Sequence, residues 1–227
     1  MEQQKPGFEW LRGAIFDLDG TLLDSMGAWA EVDRRFLERR GLTLTPDYTE
    51  AVKTMGFRAA ADYTIDRYGL NELPEALMEE WTEMTREMYA REIPLKLGAA
   101  DYLRCLAARG VRLGIATSSK EALFRPALER CGVWDLFCTA VTVAEVQCGK
   151  ESPEIYLETA RRMDAAPSEC AVFEDILPGV RAAKAAGFHT VAVCDPSSAA
   201  EEPALRREAD RCIRSFCELL EELPAGV

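Results

Sequence analysis

Short apolar runs alternate with amphipathic segments along most of this chain, whereas one long stretch near the start shows helical spacing alone. Each apolar run is short and several are followed by polar residues or glycine, which is typical of buried strands in a parallel sheet. The predicted strands are residues 11–16, 111–116, 137–143, 171–173, 190–193 and a short one at 211–213. Because helical patterns lie between them, the sequence predicts an α/β fold with a Rossmann-like, doubly wound parallel sheet.

The stretch from Met26 to Ile93 is different, because its apolar residues recur only at helical spacing. Trp29, Val32, Phe36 and Leu37 form one such stripe, and Leu77, Trp81, Met84 and Met88 form another. These stripes indicate core packing of an all-helical module. Since one strand precedes the module and the others follow it, it is an insertion. The predicted domains are a core of residues 1–25 and 94–227 and a helical cap of residues 26–93.

Composition and charge exclude several classes of partner. The 227 residues carry a net charge of −12, which argues against nucleic acids and anionic membranes as partners. The polar N-terminus has no signal-peptide core, and no apolar run approaches the roughly 18 residues that span a bilayer. Eight cysteines without a C-x-x-C pair predict reduced, largely buried thiols in a cytoplasmic protein, without a zinc site.

Candidate chemistry lies where the predicted strands end. Asp17 and Asp19 follow the first strand, and Glu174 with Asp175 follows a later one. Buried carboxylates need a partner, and a hard divalent cation is the simplest one, because it prefers oxygen ligands. Thr117 precedes a predicted helix start, where a Ser118–Glu121 capping box is expected. Lys150 stands just before another helix, where its ammonium group suits a phosphate.

Each of these features has an ordinary alternative when it is taken singly. The first two aspartates would suit a solvated turn, and the second acidic pair would suit a solvated loop. The Thr117 hydroxyl could be a helix cap, and Lys150 could be an ordinary surface lysine. Their joint position at strand ends of one sheet favours a site, because ligands of open α/β sheets bind at the carboxyl ends of the strands.

The order of these motifs resembles the haloacid dehalogenase-like superfamily, in the subgroup of aspartate-nucleophile phosphohydrolases with an inserted helical cap. The β-phosphoglucomutase-like and phosphoglycolate-phosphatase-like proteins are the nearest branches. The four motifs that carry the resemblance are Asp17-Leu18-Asp19-Gly20-Thr21, Thr117 with Ser118, Lys150, and Glu174-Asp175 with Gly179.

The resemblance implies a role for each matching residue. Asp17 is the expected nucleophile, and Asp19 is the expected acid and base. Mg²⁺ is expected between Asp17, the backbone carbonyl of Asp19, Glu174 and Asp175. Thr117, Ser118 and Lys150 are expected to bind the phosphate, and Arg58 is a candidate for contacting the substrate from the cap.

The resemblance therefore predicts a Mg²⁺-dependent phosphatase of a small phosphorylated metabolite, with a sugar phosphate as the leading candidate, acting as a monomer. The alternatives are a phosphomutase and a non-catalytic protein that binds a phosphometabolite. In the β-phosphoglucomutase branch a histidine stands at the start of the cap, whereas Trp29 occupies that position here. This favours the phosphatase, although Arg58 or Lys53 could replace the histidine.

Met26 and Pro94 are the expected crossings about which the cap moves.

Overall fold

The computed structural model describes residues 10–52 and 55–222 of the chain. The predicted alternative at Lys53 lies outside these residues. The chain divides into two compact units: one contains the described residues up to Ser25 and from Pro94 onward, and the other runs from Met26 to Ile93. In the described part of the chain, no helix is long and apolar enough to cross a membrane.

The first unit contains a parallel sheet and the helices that cover it. Its strands are β1 Gly13–Phe16, β2 Arg112–Thr117, β3 Phe137–Thr142, β4 Cys170–Glu174, β5 His189–Val193 and β6 Arg211–Ile213. Its helices are α5 Ala99–Ala108, α6 Glu121–Arg130, α7 Val143–Val146, α8 Glu154–Arg162, α9 Leu177–Ala185, α10 Glu202–Glu208 and α11 Cys217–Leu220.

The six strands are all parallel and lie in the order β3-β2-β1-β4-β5-β6. The chain therefore moves outward from β1 to β3 and then returns to the other side of β1 with β4. This reversal creates a crevice at the carboxyl ends of the central strands. The predicted fold class, a doubly wound Rossmann-like sheet with an all-helical insertion, is confirmed.

Alternating side chains of the central strands bury both faces of the sheet. Ile15 and Val172 are paired in register and belong to a cluster with Tyr156 of α8 and Ala183 of α9. Phe16 and Phe173 are also paired and stack on the opposite face, with ring centroids 4.3 Å apart. On that face Tyr102 of α5 and Phe216 pack against Phe173. Side chains that alternate between two covered faces explain why these strands are apolar throughout.

The second unit consists of helices that pack around a buried aromatic and aliphatic core. Its helices are α1 Ala28–Arg39, α2 Pro46–Val52, α3 Phe57–Tyr68 and α4 Pro74–Arg91. The predicted α4 stripe is confirmed, because Leu77, Trp81, Met84 and Met88 are all buried. Phe36 of α1 packs on Trp81 with ring centroids 5.4 Å apart.

The structure corrects three local expectations. Trp29 is not part of the buried stripe of α1, because 51% of it is exposed. The eight cysteines are free thiols as predicted, but only Cys170 is buried, so the expectation of largely buried thiols is wrong. The Ser118–Glu121 capping box is also wrong, because α6 has Lys120 at its N-cap and no capping side chain.

Candidate active site

A tight turn after β1 presents the first two aspartates at the carboxyl end of the sheet. The carbonyl of Leu18 accepts hydrogen bonds from the backbone N–H groups of Thr21, Leu22 and Leu23, at 3.2, 2.9 and 2.7 Å. Gly20 has a φ of 83°, a left-handed conformation that glycine adopts without strain. This local geometry explains why a glycine follows the acidic pair.

Asp17, Lys150 and Glu174 form a buried ionic cluster at this edge. Lys150 lies in the turn between α7 and α8, and its Nζ contacts Asp17 Oδ1 and lies 2.5 Å from Glu174 Oε1. Only 6% of the Lys150 side chain is exposed. Burial disfavours the ammonium, but the charges of Asp17 and Glu174 outweigh burial and raise the pKa of Lys150.

Asp175 completes a set of three buried carboxylates. One oxygen from each of Asp17, Glu174 and Asp175 lies within 4.8 Å of the others. Thr21 donates a hydrogen bond of 3.1 Å to Asp175 Oδ1, which ties the turn after β1 to the end of β4. Burial, followed by the charge of Glu174, raises the pKa of Asp175 to about 7. Burial is also the main reason why the pKa of Asp17 is raised.

The residues of this cluster fit a divalent cation. Among the described residues, three buried carboxylates face the Lys150 ammonium group, so with all three ionised this cluster carries two negative charges in excess. Burial raises the pKa values of Asp17 and Asp175, and the neighbouring carboxylate charges raise them further. The donor atoms are carboxylate oxygens, the ligand type that Mg²⁺ prefers. A divalent cation would balance the charge and keep both carboxylates ionised.

Asp19 has different neighbours from the other carboxylates. Ser25 donates a hydrogen bond of 2.6 Å to Asp19 Oδ1, and the hydroxyl of Ser119 donates to Asp19 Oδ2. Both oxygens of Asp19 therefore accept from neutral hydroxyl groups. Its carboxylate does not belong to the set formed by Asp17, Glu174 and Asp175.

The structure brings most of the predicted site residues together at one end of the sheet. Thr117, the last residue of β2, is buried and its hydroxyl accepts a hydrogen bond of 3.1 Å from the N–H of Ser119. Ser118 is exposed. Arg58 belongs to the helical unit, where it is exposed and pairs with Asp62 and Glu75.

Sequence reasoning missed four residues that contact the site carboxylates: Thr21, Ser25, Ser119 and Tyr156. Thr21, Ser25 and Ser119 lie within or beside the recognised motifs in sequence. Their closeness to these motifs along the chain was a signal that could have found them. Tyr156 had no comparable signal, because its position in α8 fits an ordinary pattern of core residues.

Comparisons with known proteins identify the family of this chain. A family model of haloacid dehalogenase-like hydrolases matches residues 11–187. A bifunctional riboflavin kinase/FMN phosphatase of Arabidopsis thaliana is 32% identical over 210 residues, which cover 90% of this chain and 53% of that protein. The chain therefore spans about half the length of the plant protein.

Two further proteins are similar over most of their own length. The fructose-1-phosphate phosphatase YqaB of Escherichia coli is 31% identical over 187 residues, which cover 82% of this chain and 98% of that protein. The crystal structure of CbbY from Rhodobacter sphaeroides in complex with phosphate has a TM-score of 0.70 and 26% identity, covering 92% of this chain and 96% of that one.

Proposed function

Since the chain belongs to the haloacid dehalogenase-like hydrolase family, we propose that this hydrolase is a Mg²⁺-dependent phosphatase of a small phosphorylated metabolite. The observation that carries the proposal is the buried set of Asp17, Glu174 and Asp175 around Lys150, beside the separately held Asp19. The relatives named as FMN and fructose-1-phosphate phosphatases support a phosphorylated sugar or polyol as the substrate class.

Asp17 is proposed as the nucleophile. Its oxygen forms a bond to phosphorus while the bond from phosphorus to the leaving oxygen breaks, which gives an aspartyl-phosphate. Its position directly after β1, with its N–H bonded to the carbonyl of Phe173 at 3.0 Å, holds the side chain at the crevice between the central strands. The contact with Lys150 favours the ionised carboxylate that attack requires.

Asp19 is proposed as the proton carrier for both halves of the reaction. In the first half it donates a proton to the leaving oxygen. In the second half it accepts a proton from the water that attacks the aspartyl-phosphate and releases Asp17. Its hydroxyl partners, Ser25 and Ser119, support this role, because their hydrogen bonds fix the orientation of both carboxylate oxygens.

Mg²⁺ is proposed to be held by the carboxylates of Asp17, Glu174 and Asp175 and by the backbone carbonyl of Asp19. When bound, it would reduce the repulsion between a carboxylate nucleophile and an anionic phosphate. Lys150 and Thr117 are proposed to bind the phosphate oxygens, with Ser118 at the same strand end, because phosphoryl transfer depends on stabilising the charge on these oxygens.

The helical unit, residues 26–93, is proposed as a cap that selects the substrate, with Arg58 as a candidate contact. A phosphomutase needs a cap group that keeps water from the aspartyl-phosphate until the sugar has turned round. Trp29 offers only an indole N–H donor at the position where the mutase branch has a histidine. This favours hydrolysis of the aspartyl-phosphate over transfer of the phosphoryl group back to the sugar.

Phosphate release from a panel of phosphomonoesters tests the proposal. The panel includes fructose 1-phosphate, flavin mononucleotide, ribose 5-phosphate and p-nitrophenyl phosphate, each with Mg²⁺ and with excess chelator. We expect release only with Mg²⁺, and none from Asp17→Asn, which is isosteric but lacks the nucleophilic oxygen. Turnover that persists in excess chelator would contradict the metal requirement.

A second assay distinguishes a phosphatase from a phosphomutase. The protein is incubated with β-glucose 1-phosphate, a trace of glucose 1,6-bisphosphate and Mg²⁺, and both products are followed. We expect free phosphate to appear faster than glucose 6-phosphate. The opposite order would establish a mutase.

A further inference from the structure

A buried tyrosine hydroxyl reaches one of the candidate metal ligands from the packed interior. Tyr156 of α8 is fully buried, and its hydroxyl donates a hydrogen bond of 2.9 Å to Glu174 Oε1. The phenol hydroxyl is a neutral group that can donate a hydrogen bond, so it can hold the carboxylate without adding charge.

Gly179 makes room for this contact. A Cβ atom at this position of α9 would lie 2.6 Å from the Tyr156 hydroxyl and 2.8 Å from Cδ of Glu174. Real Cβ atoms do not approach heavy atoms so closely. Glycine is less favourable than alanine within a helix, so its presence in α9 needs a reason. The close approach of tyrosine, carboxylate and helix backbone supplies that reason.

Both oxygens of Glu174 are engaged by the protein. Oε1 accepts from Lys150 and Tyr156, and Oε2 accepts from the backbone N–H groups of Asp175 and Ile176 at 3.1 and 3.4 Å. Of these donors Lys150 also contacts Asp17, so it has a second function in the site. The Tyr156 hydroxyl adds a neutral donor that fixes the orientation of Glu174 without changing the charge of the cluster.

We propose that Tyr156 and Gly179 are positioning residues for the metal site, which together set the orientation of the Glu174 carboxylate and thereby the affinity for a divalent cation. This inference rests on the proposed Mg²⁺-dependent function. Groups that hydrogen-bond to metal ligands commonly alter metal affinity by about 10- to 100-fold. The tyrosine acts through Glu174 and does not contact the substrate.

The test is a comparison of two tyrosine-to-phenylalanine variants in the 227-residue chain. Tyr156→Phe removes the hydroxyl and keeps the ring, whereas Tyr102→Phe removes a hydroxyl from a buried tyrosine that packs against Phe173 on the other face of the sheet. Calorimetric titration with MgCl₂ alone measures the dissociation constant. We expect Tyr156→Phe to bind Mg²⁺ about tenfold more weakly and Tyr102→Phe to bind it as the wild type does.

Kinetics of p-nitrophenyl phosphate hydrolysis supply a second readout. For Tyr156→Phe we expect an unchanged KM for the ester and a kcat that recovers at high Mg²⁺ concentration. A merely structural defect would not be repaired by the metal. The double variant Tyr156→Phe/Gly179→Ala tests whether the two residues act together. Removing the Tyr156 hydroxyl removes the shortest contact of the new Cβ atom at position 179. The double variant should therefore lose less Mg²⁺ affinity than the two single variants lose in sum.

Three results would overturn the inference. One is wild-type Mg²⁺ affinity in Tyr156→Phe, and another is an equal loss in both tyrosine variants, which would indicate packing alone. In both cases phosphate release by the wild type would leave the proposed function standing. If the wild type itself bound no Mg²⁺ in the titration while it still released phosphate in excess chelator, the proposed metal dependence and the inference would fail together.

Discussion

Lys150 and Glu174 form a buried ion pair, with Nζ 2.5 Å from Oε1, and the same ammonium group contacts Asp17. A lysine before α8 thus joins the carboxylate that follows β1 to the carboxylate of the last residue of β4. Its positive charge offsets part of the charge of the three buried carboxylates.

Replacing Lys150 by methionine should destabilise the metal-free protein. The variant leaves buried carboxylates without their cation, and breaking a buried pair in this way costs about 3 kcal/mol or more. Chemical denaturation without Mg²⁺ measures the loss. Lys184→Met, which removes an exposed pairing with Asp210, is the control and should change the free energy of unfolding by less than about 0.5 kcal/mol. Equal effects of the two variants would contradict the assigned role of Lys150.

The pH dependence of metal-free stability should reflect Asp175. Its pKa is raised from 3.8 to about 7 in the folded protein, so the folded state binds a proton that the unfolded state releases between these values. The contribution of Asp175 to stability is therefore present below about pH 4 and is lost as the pH rises through about 7. Asp175→Asn should flatten this part of the profile in thermal unfolding, and an unchanged profile would disprove the assignment.

Mg²⁺ binding should show the opposite trend with pH. The cation requires the ionised carboxylate, so Mg²⁺ affinity should decrease as the pH falls below about 7. Titration at several pH values measures the affinity, and the stabilisation of the protein by saturating Mg²⁺ should shrink in parallel. An affinity that stays constant between pH 8 and 5.5 would exclude Asp175 as a ligand.

Ser119 should matter for catalysis, although only its neighbours Thr117 and Ser118 were predicted as site residues. Ser119→Ala removes the hydroxyl that donates to Asp19 Oδ2, which should lower kcat about tenfold while the KM changes little. Ser119→Thr keeps a hydroxyl and should retain much of the activity. If both variants had the same kcat as the wild type, the Ser119 hydroxyl would have no part in holding Asp19.

The helical unit provides a contrast between a buried and an exposed aromatic residue. Phe36→Ala should cost about 3 to 5 kcal/mol of stability, because it opens a cavity beside Trp81. Trp29→Ala should cost much less, because half of Trp29 is exposed, yet it should change the KM for the substrate if the unit selects substrates. Denaturation and steady-state kinetics of both variants check this. A large stability loss in Trp29→Ala would place this side chain in the core after all.

The sheet could be predicted because its strands are buried on both faces, so runs such as Ala171–Phe173 are apolar throughout. The acidic pairs were predictable because they stand directly at strand ends. Helical spacing includes Trp29 in the apolar stripe of α1 although half of it is exposed, because spacing alone does not show where such a stripe meets solvent. Tyr156 could not be assigned, since its contact with Glu174 depends on how α8 and α9 pack, and nothing local encodes that distance.

The most direct test of the central claim is chemical trapping of the aspartyl-phosphate. The protein is mixed with substrate and Mg²⁺, quenched in acid and treated with borohydride, which reduces an acyl phosphate to an alcohol, and the peptides are then analysed by mass spectrometry. The account predicts homoserine at position 17 only when substrate is present, and none in Asp17→Asn. Phosphate release without homoserine at position 17 would contradict the account. Homoserine in place of Asp19 or Asp175 would contradict it as well.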